Sequence, residues 1–266
     1  MTEALQRRLD AALRLANEAA AMAMAMRPAP GSGRGALKGW QDWVTEADRA
    51  VERFLSGALG AAFPGDGFQG EEGGVSRGGS LRWVIDPIDG TSNYARGATR
   101  FCISVACLEG DTPLIGVIAA PTVGEIVSAR RGQGAFLNGV AIRAAETCDP
   151  KQAIMEVGWS RRRTAAAYLA VCERVLAGGS SLRHGGSGAL GLVDVAIGRL
   201  DGYAELHINL WDVAAALAIL REAGAAVSDF LAGDGEATGN GIFACAPGMA
   251  AVWSDLPGLP RAVVFS

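Results

Sequence analysis

The chain has no CxxC pair. Its five cysteines, Cys102, Cys107, Cys148, Cys172 and Cys245, form an odd set without repeated spacing, which argues against a disulfide framework or a zinc knuckle and for a reducing compartment. Long hydrophobic runs are missing as well, since none approaches the roughly 18 residues that span a bilayer. The opening MTEALQRRLDAALRLANEA carries charges every few positions in place of an apolar signal core. A soluble, cytoplasmic protein with no membrane partner is the expectation. Charge bias is also small: the net charge is -4 with 20% charged residues, a balance that gives no reason to expect nucleic acid as partner. No period of about 20 to 50 residues repeats, and no linker-like stretch separates independent domains.

What is present is an ordinary globular composition, half of it hydrophobic. At about 150 residues per domain, 266 residues make one large domain or two closely joined lobes. Glycine, at 37 residues, stands at about twice its usual share, so many tight turns are expected. Leu5, Leu9, Leu13 and Ala16 recur at helical spacing with Arg7, Arg8, Asp10 and Arg14 on the other faces, which predicts an amphipathic helix over residues 3–26, ended by Pro28, Pro30 and GSGRG. Thr45 and Asp48 form a capping box ahead of Val51, Phe54, Leu55, Ala58, Leu59 and Ala62, a second helix stopped by Pro64 and Gly65. Residues 81–143 are short β-prone runs punctuated by turn residues, which reads as a predominantly antiparallel sheet. A helix over 164–176, glycine-rich turns and a helix over 212–223 follow. The last is apolar nearly all round and so must be buried between layers. The class is mixed αβ (α+β), with a soft boundary near 144–150 dividing an N-terminal α+β lobe, 1–145, from a C-terminal α/β lobe, 146–266.

The sharpest local feature is LRWVIDPIDGTSNY. An apolar strand ends in Asp86, Pro87 fixes the chain, and Asp89 follows before Gly90 and Thr91, so two carboxylates leave one rigid turn with the Ile88 carbonyl between them. Hard divalent cations such as Mg²⁺ require oxygen ligands of this kind. If a helix begins after Gly90, the amides of Gly90 and Thr91 would face a phosphate there. The plain alternative is a hairpin, because Asp-Gly is a turn signal by itself. Glu71 and Glu72 in GFQGEEGG read locally as a solvated loop, Asp212 as the N-cap of the buried helix, and Asp48 as a capping acid.

Taken together, DWVTEAD, GEE, WVIDPIDGTSNY, GAFLNG, GGSGA and GYAELHINLWDVAAALAILREAGA resemble, in content and order, the inositol monophosphatase family of Mg²⁺-dependent, lithium-sensitive sugar-phosphate phosphatases. The resemblance covers nearly the whole chain. It implies a layered αβαβα sandwich of the inositol monophosphatase / fructose-1,6-bisphosphatase type and a homodimer. It also implies two to three Mg²⁺ ions, the first held by Glu71, Asp86 and the Ile88 carbonyl, the second by Asp86, Asp89 and Asp212, and a weaker third reached through Glu71. A metal-activated water, oriented by Thr91 and Asp48, would attack the phosphorus. Asp89, Gly90, Thr91, Gly186, Ser187, Gly188, Glu205 and Asp212 would contact substrate, a small phosphorylated metabolite, with Glu205 accepting hydroxyls. His207 reads as structural.

Two segments depart from the family pattern. Lys38 sits in GALKGWQDW with Trp40 and Trp43 close after it, and VGWSRRRT places Arg161, Arg162 and Arg163 on the expected substrate side. The three arginines are read either as a second phosphate site or as a solvated helix start. Rival readings are a serine hydrolase built on Ser187, Asp201 and His207 in HGGSGA order, although its elbow ends in Ala189, and a binding module that retains the fold without turnover. Within the family, histidinol phosphate would place an ammonium near Glu205, and a fructose bisphosphate or 3′-phosphonucleotide would call on the arginines. The TSNY continuation favours myo-inositol monophosphate.

Overall fold

The computed structural model describes residues 2–31, 36–39, 42–76 and 79–264. The chain opens with α1 (Thr2–Met26), a small ribbon of β1 (Ala36–Gly39) and β2 (Asp42–Val44), and α2 (Glu46–Ala62). Then come β3 (Gly67–Gly70), β4 (Gly74–Ser76), β5 (Leu81–Asp89), the short α3 (Thr91–Ala95), β6 (Cys102–Glu109), β7 (Thr112–Ala120), β8 (Glu125–Arg130), β9 (Ala135–Leu137) and β10 (Val140–Ile142). The second half holds β11 (Ile154–Gly158), α4 (Ala165–Ala177), β12 (Ser181–Arg183), α5 (Gly188–Ala196), β13 (Gly202–Ile208) and α6 (Leu210–Glu222). It closes with β14 (Ala226–Ser228), α7 (Gly235–Thr238), β15 (Asn240–Cys245) and β16 (Ala262–Val264).

Two sheets result. The eight-stranded sheet runs β10-β9-β8-β7-β6-β5-β3-β4, and the six-stranded sheet β12-β11-β13-β15-β14-β16. From β5 to β10 the first is antiparallel as the pattern predicts, but β3 joins β5 in parallel, with Gly70 beside Ile85. Strand alternation separates two cores: Trp83, Ile85, Ile103, Val105, Ile115 and Val117 face α1 and α2, whereas Val84, Cys102, Ala106 and Ile118 face α5 and α6. A third core lies between the second sheet and α4. The stack is helix, sheet, helix, sheet, helix, so the expected αβαβα layering is found. Among the described residues no helix is long and apolar enough to cross a membrane.

The α1 stripe is rotated from the leucine spacing. Ala12, Leu15, Ala16, Ala19 and Ala23 are buried, while Leu9 and Leu13 are half-buried at its margin, because small alanines let the helix lie close to the sheet. The capping box of α2 forms as expected. Three readings are corrected. The glycine-rich region before residue 212 holds β12, α5 and β13, which glycine content had masked as turns. Asp212 is not the N-cap of α6 but its third helical residue, since the helix starts at Leu210 behind Asn209. No hairpin forms at Asp89-Gly90: Gly90, at φ 88°, heads α3 instead.

α6 fills the slot between the sheets, every residue from Val213 to Leu220 being buried. Its approach to β7 depends on Gly116, where an added methyl would collide with the Ala215 carbonyl oxygen. Gly116→Ala should therefore destabilise the fold by about 3 kcal/mol in denaturant unfolding. Gly57 in α2 has open space around it, and Gly57→Ala should stabilise by about 0.5–1 kcal/mol. Equal effects of the two substitutions would refute this account of the interlayer distance.

Candidate active site

The parallel pairing of β3 with β5 brings their C-terminal ends together, so the turn carrying Glu71 follows Gly70 as Asp86 follows Ile85. Beyond Asp86 the register with β6 is broken until Asp89 pairs with Cys102. Pro87 has no amide for a ladder bond, and the Ile88 amide donates instead to Asp86 Oδ1 at 3.0 Å. Asp89 reaches across to the second half of the chain. It accepts the Ser187 hydroxyl, the Gly188 amide at 3.2 Å and the Ala189 amide at 2.9 Å, so it sits on the N-terminus of α5, where negative charge is favoured. Asp212 accepts the Asn209 amide at 2.9 Å.

Asp86, Asp89 and Asp212 offer oxygens that all lie within 4.8 Å of one another. Glu71 stands outside that trio, but its charge bears on both Asp86 and Asp212. Burial, then the charges of Glu71, Asp212 and Asp89, hold the Asp86 carboxyl well above the usual carboxylate range. Asp212 is raised well above it by burial, then by Asp89 and Glu71. Asp89 is raised less, because the α5 hydrogen bonds oppose its burial. The donor set is all oxygen, and the charges pressing hardest on Asp86 are all negative, which is what a hard divalent cation would relieve.

On the adjoining side, Asp48 is buried and receives the Thr45 amide at 2.7 Å, while the Thr91 hydroxyl lies 3.2 Å from Asp48 Oδ1 and 2.8 Å from the Ile88 carbonyl oxygen. Burial raises the Asp48 carboxyl, and its bonds to Thr45 and Thr91 oppose that rise. Gly90 has no room for a side chain: a Cβ would stand 2.8 Å from the Arg100 carbonyl oxygen and 3.2 Å from Ser187 Cβ. Asn93, in α3, donates to the Arg100 and Gly185 carbonyls at 2.8 and 3.0 Å, which fixes the Gly185-Gly186 turn.

A cavity of about 760 Å³ opens over this cluster, lined by Asp89, Gly186, Ser187, Gly188, Glu205 and Asp212 among others. Glu205 accepts the Tyr203 hydroxyl at 2.6 Å, and burial pushes its carboxyl up to about 7. It lies beside Gly158 on the neighbouring strand, where any side chain would collide with it. Ser187 turns its hydroxyl to Asp89, so only its main chain is offered to the cavity's centre. His207 Nε2 lies 2.9 Å from the Thr238 carbonyl oxygen, and Asp201 accepts the Ile154 amide at 2.7 Å. Both are engaged elsewhere, and no hydrolase triad with Ser187 forms. Lys38 and Trp43 fall where only backbone is described, and Trp40 lies outside the described residues.

Residues 4–253 match the model of the inositol monophosphatase family. The chain belongs to that family. It is 40% identical over 199 residues, 74% of its length and 72% of the relative's, to Nus factor SuhB of Xylella fastidiosa. To inositol-1-monophosphatase of Rhizobium meliloti it is 40% identical over 193 residues, 71% of this chain and 72% of that one. The crystal structure of extragenic suppressor protein suhB from Bartonella henselae superposes with a TM-score of 0.85 at 30% identity, covering 91% of this chain and 95% of that chain.

One residue beside the site escaped the sequence reading. Glu52, one turn beyond Asp48 on α2, is buried and accepts the Glu72 amide at 2.8 Å. It lies so close under the turn that a Cβ at Gly70 would stand 2.6 Å from its Cδ. Its only sequence signal is the i, i+4 spacing from Asp48.

Two outcomes follow. Glu52→Ala removes the acceptor of a part-buried amide and should cost about 1 kcal/mol while weakening divalent-cation binding, read by calorimetry with Mg²⁺ or Mn²⁺ as probe, severalfold; unchanged binding would show that Glu52 does not hold the Glu71 turn. The raised carboxyls stabilise the metal-free fold at low pH, and that stability is lost as pH rises through their folded pKa values. A divalent cation held by these acids should therefore raise the melting temperature more near pH 8 than near pH 5, and equal rises at both would place the cation elsewhere.

Proposed function

We propose that this protein hydrolyses small polyol phosphomonoesters, with myo-inositol monophosphate as the reference substrate, releasing inorganic phosphate. The observation that carries this reading is the trio of buried aspartates within 4.8 Å under a cavity that Glu205 also lines. In this reading Glu71, Asp86, Ile88 through its carbonyl, Asp89 and Asp212 hold Mg²⁺. Two or three such ions would supply Lewis acidity, a lowered water pKa and compensation of charge on the leaving alkoxide.

The chain's own residues set the rest. Asp48, kept basic by burial and held by Thr45, is placed with Thr91 to orient a water and accept its proton. The Gly90 and Thr91 amides face the phosphoryl oxygens, and the main chain of Gly186, Ser187 and Gly188 lets a polyol ring approach closely. Glu205, fixed by Tyr203, accepts ring hydroxyls. We also propose that the division near residues 144–150 is functional: 1–145 supplies Asp48, Glu71, Asp86 and Asp89, and 146–266 supplies Glu205 and Asp212. A cytoplasmic homodimer is part of the same reading.

One relative carries the name inositol-1-monophosphatase and another Nus factor SuhB. The complete acid set supports turnover over a purely structural role. Phosphate release from myo-inositol 1-phosphate, histidinol phosphate and p-nitrophenyl phosphate, with and without Mg²⁺, tests it. Release should need Mg²⁺, be fastest on the inositol ester, and fall more than about a hundredfold in Asp86→Asn. Faster release from histidinol phosphate would move the substrate; no release from any ester would overturn the reading.

A further inference from the structure

β11 ends at Gly158, and residues 159–163 carry the chain to α4. Thr164 caps that helix, so the three arginines precede the helix rather than begin it, and Arg163 Nε donates to the Leu206 carbonyl at 3.2 Å, which ties the connection to β13. Its first residue, Trp159, has no part in the reaction described above. Trp159 stands one residue beyond the pairing of Gly158 with Glu205. It lines the cavity of about 760 Å³ over the aspartates and a second one of about 330 Å³, and Glu205 and Asp212 line both as well. The indole is therefore at the junction of two spaces that share the same acids.

Two observations mark this indole as more than packing. It is 37% exposed, and among the described residues that line the larger cavity it alone is an exposed large hydrophobic side chain: Tyr203 is buried and gives its hydroxyl to Glu205, and Ile208 is buried. Most of the remaining wall is polar side chain and glycine main chain. The ring is also held in place. It packs edge-on against Tyr168 of α4 at 5.3 Å, Tyr168 packs edge-on against His184 at 6.5 Å, and His184 Nδ1 lies 3.0 Å from the Val157 carbonyl oxygen. This column of rings fixes the indole before a ligand arrives, and a wall set in advance loses little conformational freedom on binding. A saturated-ring polyol carries hydroxyls round its rim and C–H groups on its faces. The hydroxyls suit Glu205, and the C–H face suits the electron-rich face of an aromatic ring. An open-chain polyol keeps no such face.

We propose that Trp159 is a specificity-determining residue: its indole is the stacking surface for the C–H face of a saturated ring in the leaving alcohol, so that esters of cyclic polyols are hydrolysed in preference to esters of open-chain ones. The inference rests on the phosphomonoesterase reading. Trp159 acts on binding of the alcohol portion, and the chemistry at phosphorus is the same for both classes of ester.

The test measures kcat and KM separately for myo-inositol 1-phosphate and glycerol 2-phosphate in wild type, Trp159→Ala, Trp159→Leu and Trp159→Phe, with circular dichroism confirming folding. The ratio of kcat/KM for the cyclic ester to that for the open-chain ester should fall about three- to tenfold in Trp159→Ala and Trp159→Leu. The loss should lie in KM for the inositol ester, and Trp159→Phe should restore most of it. Leucine keeps apolar bulk against Tyr168 without an aromatic face, so the comparison of Trp159→Leu with Trp159→Phe carries the test even if Trp159→Ala does not fold. An unchanged ratio, or equal losses on both esters, would overturn the proposal and leave Trp159 as packing for Tyr168. If neither ester released phosphate, the phosphatase reading would fall by itself, and calorimetric binding of the same two esters in Mg²⁺ would judge the stacking surface. Tighter binding of the inositol ester, lost in Trp159→Leu and kept in Trp159→Phe, would sustain it; equal binding of the two esters, or a preference that Trp159→Leu leaves intact, would refute it.

Discussion

Everything about this molecule turns on keeping Asp86, Asp89 and Asp212 together out of water. Three carboxylates within 4.8 Å repel one another, and burial removes the solvent that would screen them. The fold answers with oriented amides: Ile88 for Asp86, Gly188 and Ala189 for Asp89, Asn209 for Asp212. These bonds fix the directions of the carboxylates and offset only part of their repulsion, so the acids are organised for a partner of opposite charge.

That requirement explains features otherwise unrelated. The parallel β3 in an antiparallel sheet sets the Glu71 turn beside Asp86. One face of α2 supports two walls at once, since Asp48 meets Thr91 and Glu52 holds the Glu72 amide. Gly116 lets α6 sink deep enough for Asp212 to reach β5. Gly158, on β11, leaves room for Glu205 and Tyr203 to lock together. The glycines that raise the composition are, at these places, points where one layer must touch another.

Much of this was legible in sequence, and the boundary is instructive. Helical periodicity located α1, α2 and α4, and the absence of any polar face on α6 announced a helix between layers. The strand pattern located the antiparallel meander. Residue pattern alone did not show the second sheet, which only the family resemblance implied, because β12 and β14 have three residues each, too few to show alternation. α5 was missed because GGSGA reads as a turn until Ser187 caps it and Asp89 faces its amides. Residue types alone could not reveal Glu52, whose role depends on a strand pairing in parallel some residues away. Asp48 keeps the capping-box role read from sequence, and Asp212, although not the N-cap, closes a capping box by accepting the Asn209 amide, so a capping bond and a place in the acid site are compatible in one carboxylate.

The placement of Asp212 on the interlayer helix has a consequence for how the chain matures. Asp86 and Asp212 are separated by more than a hundred residues, and contacts of such long range form late and slowly in folding because a large loop must close before they are made. The strands from β5 to β10 can pair with near neighbours while the remainder is still being synthesised, but the acid trio exists only after α6 has threaded its apolar Val213–Leu220 stretch between both sheets. A nascent chain would expose that apolar helix until the last stage of assembly. Cation capture would then act as a final latch, trapping the molecule once its interior has closed.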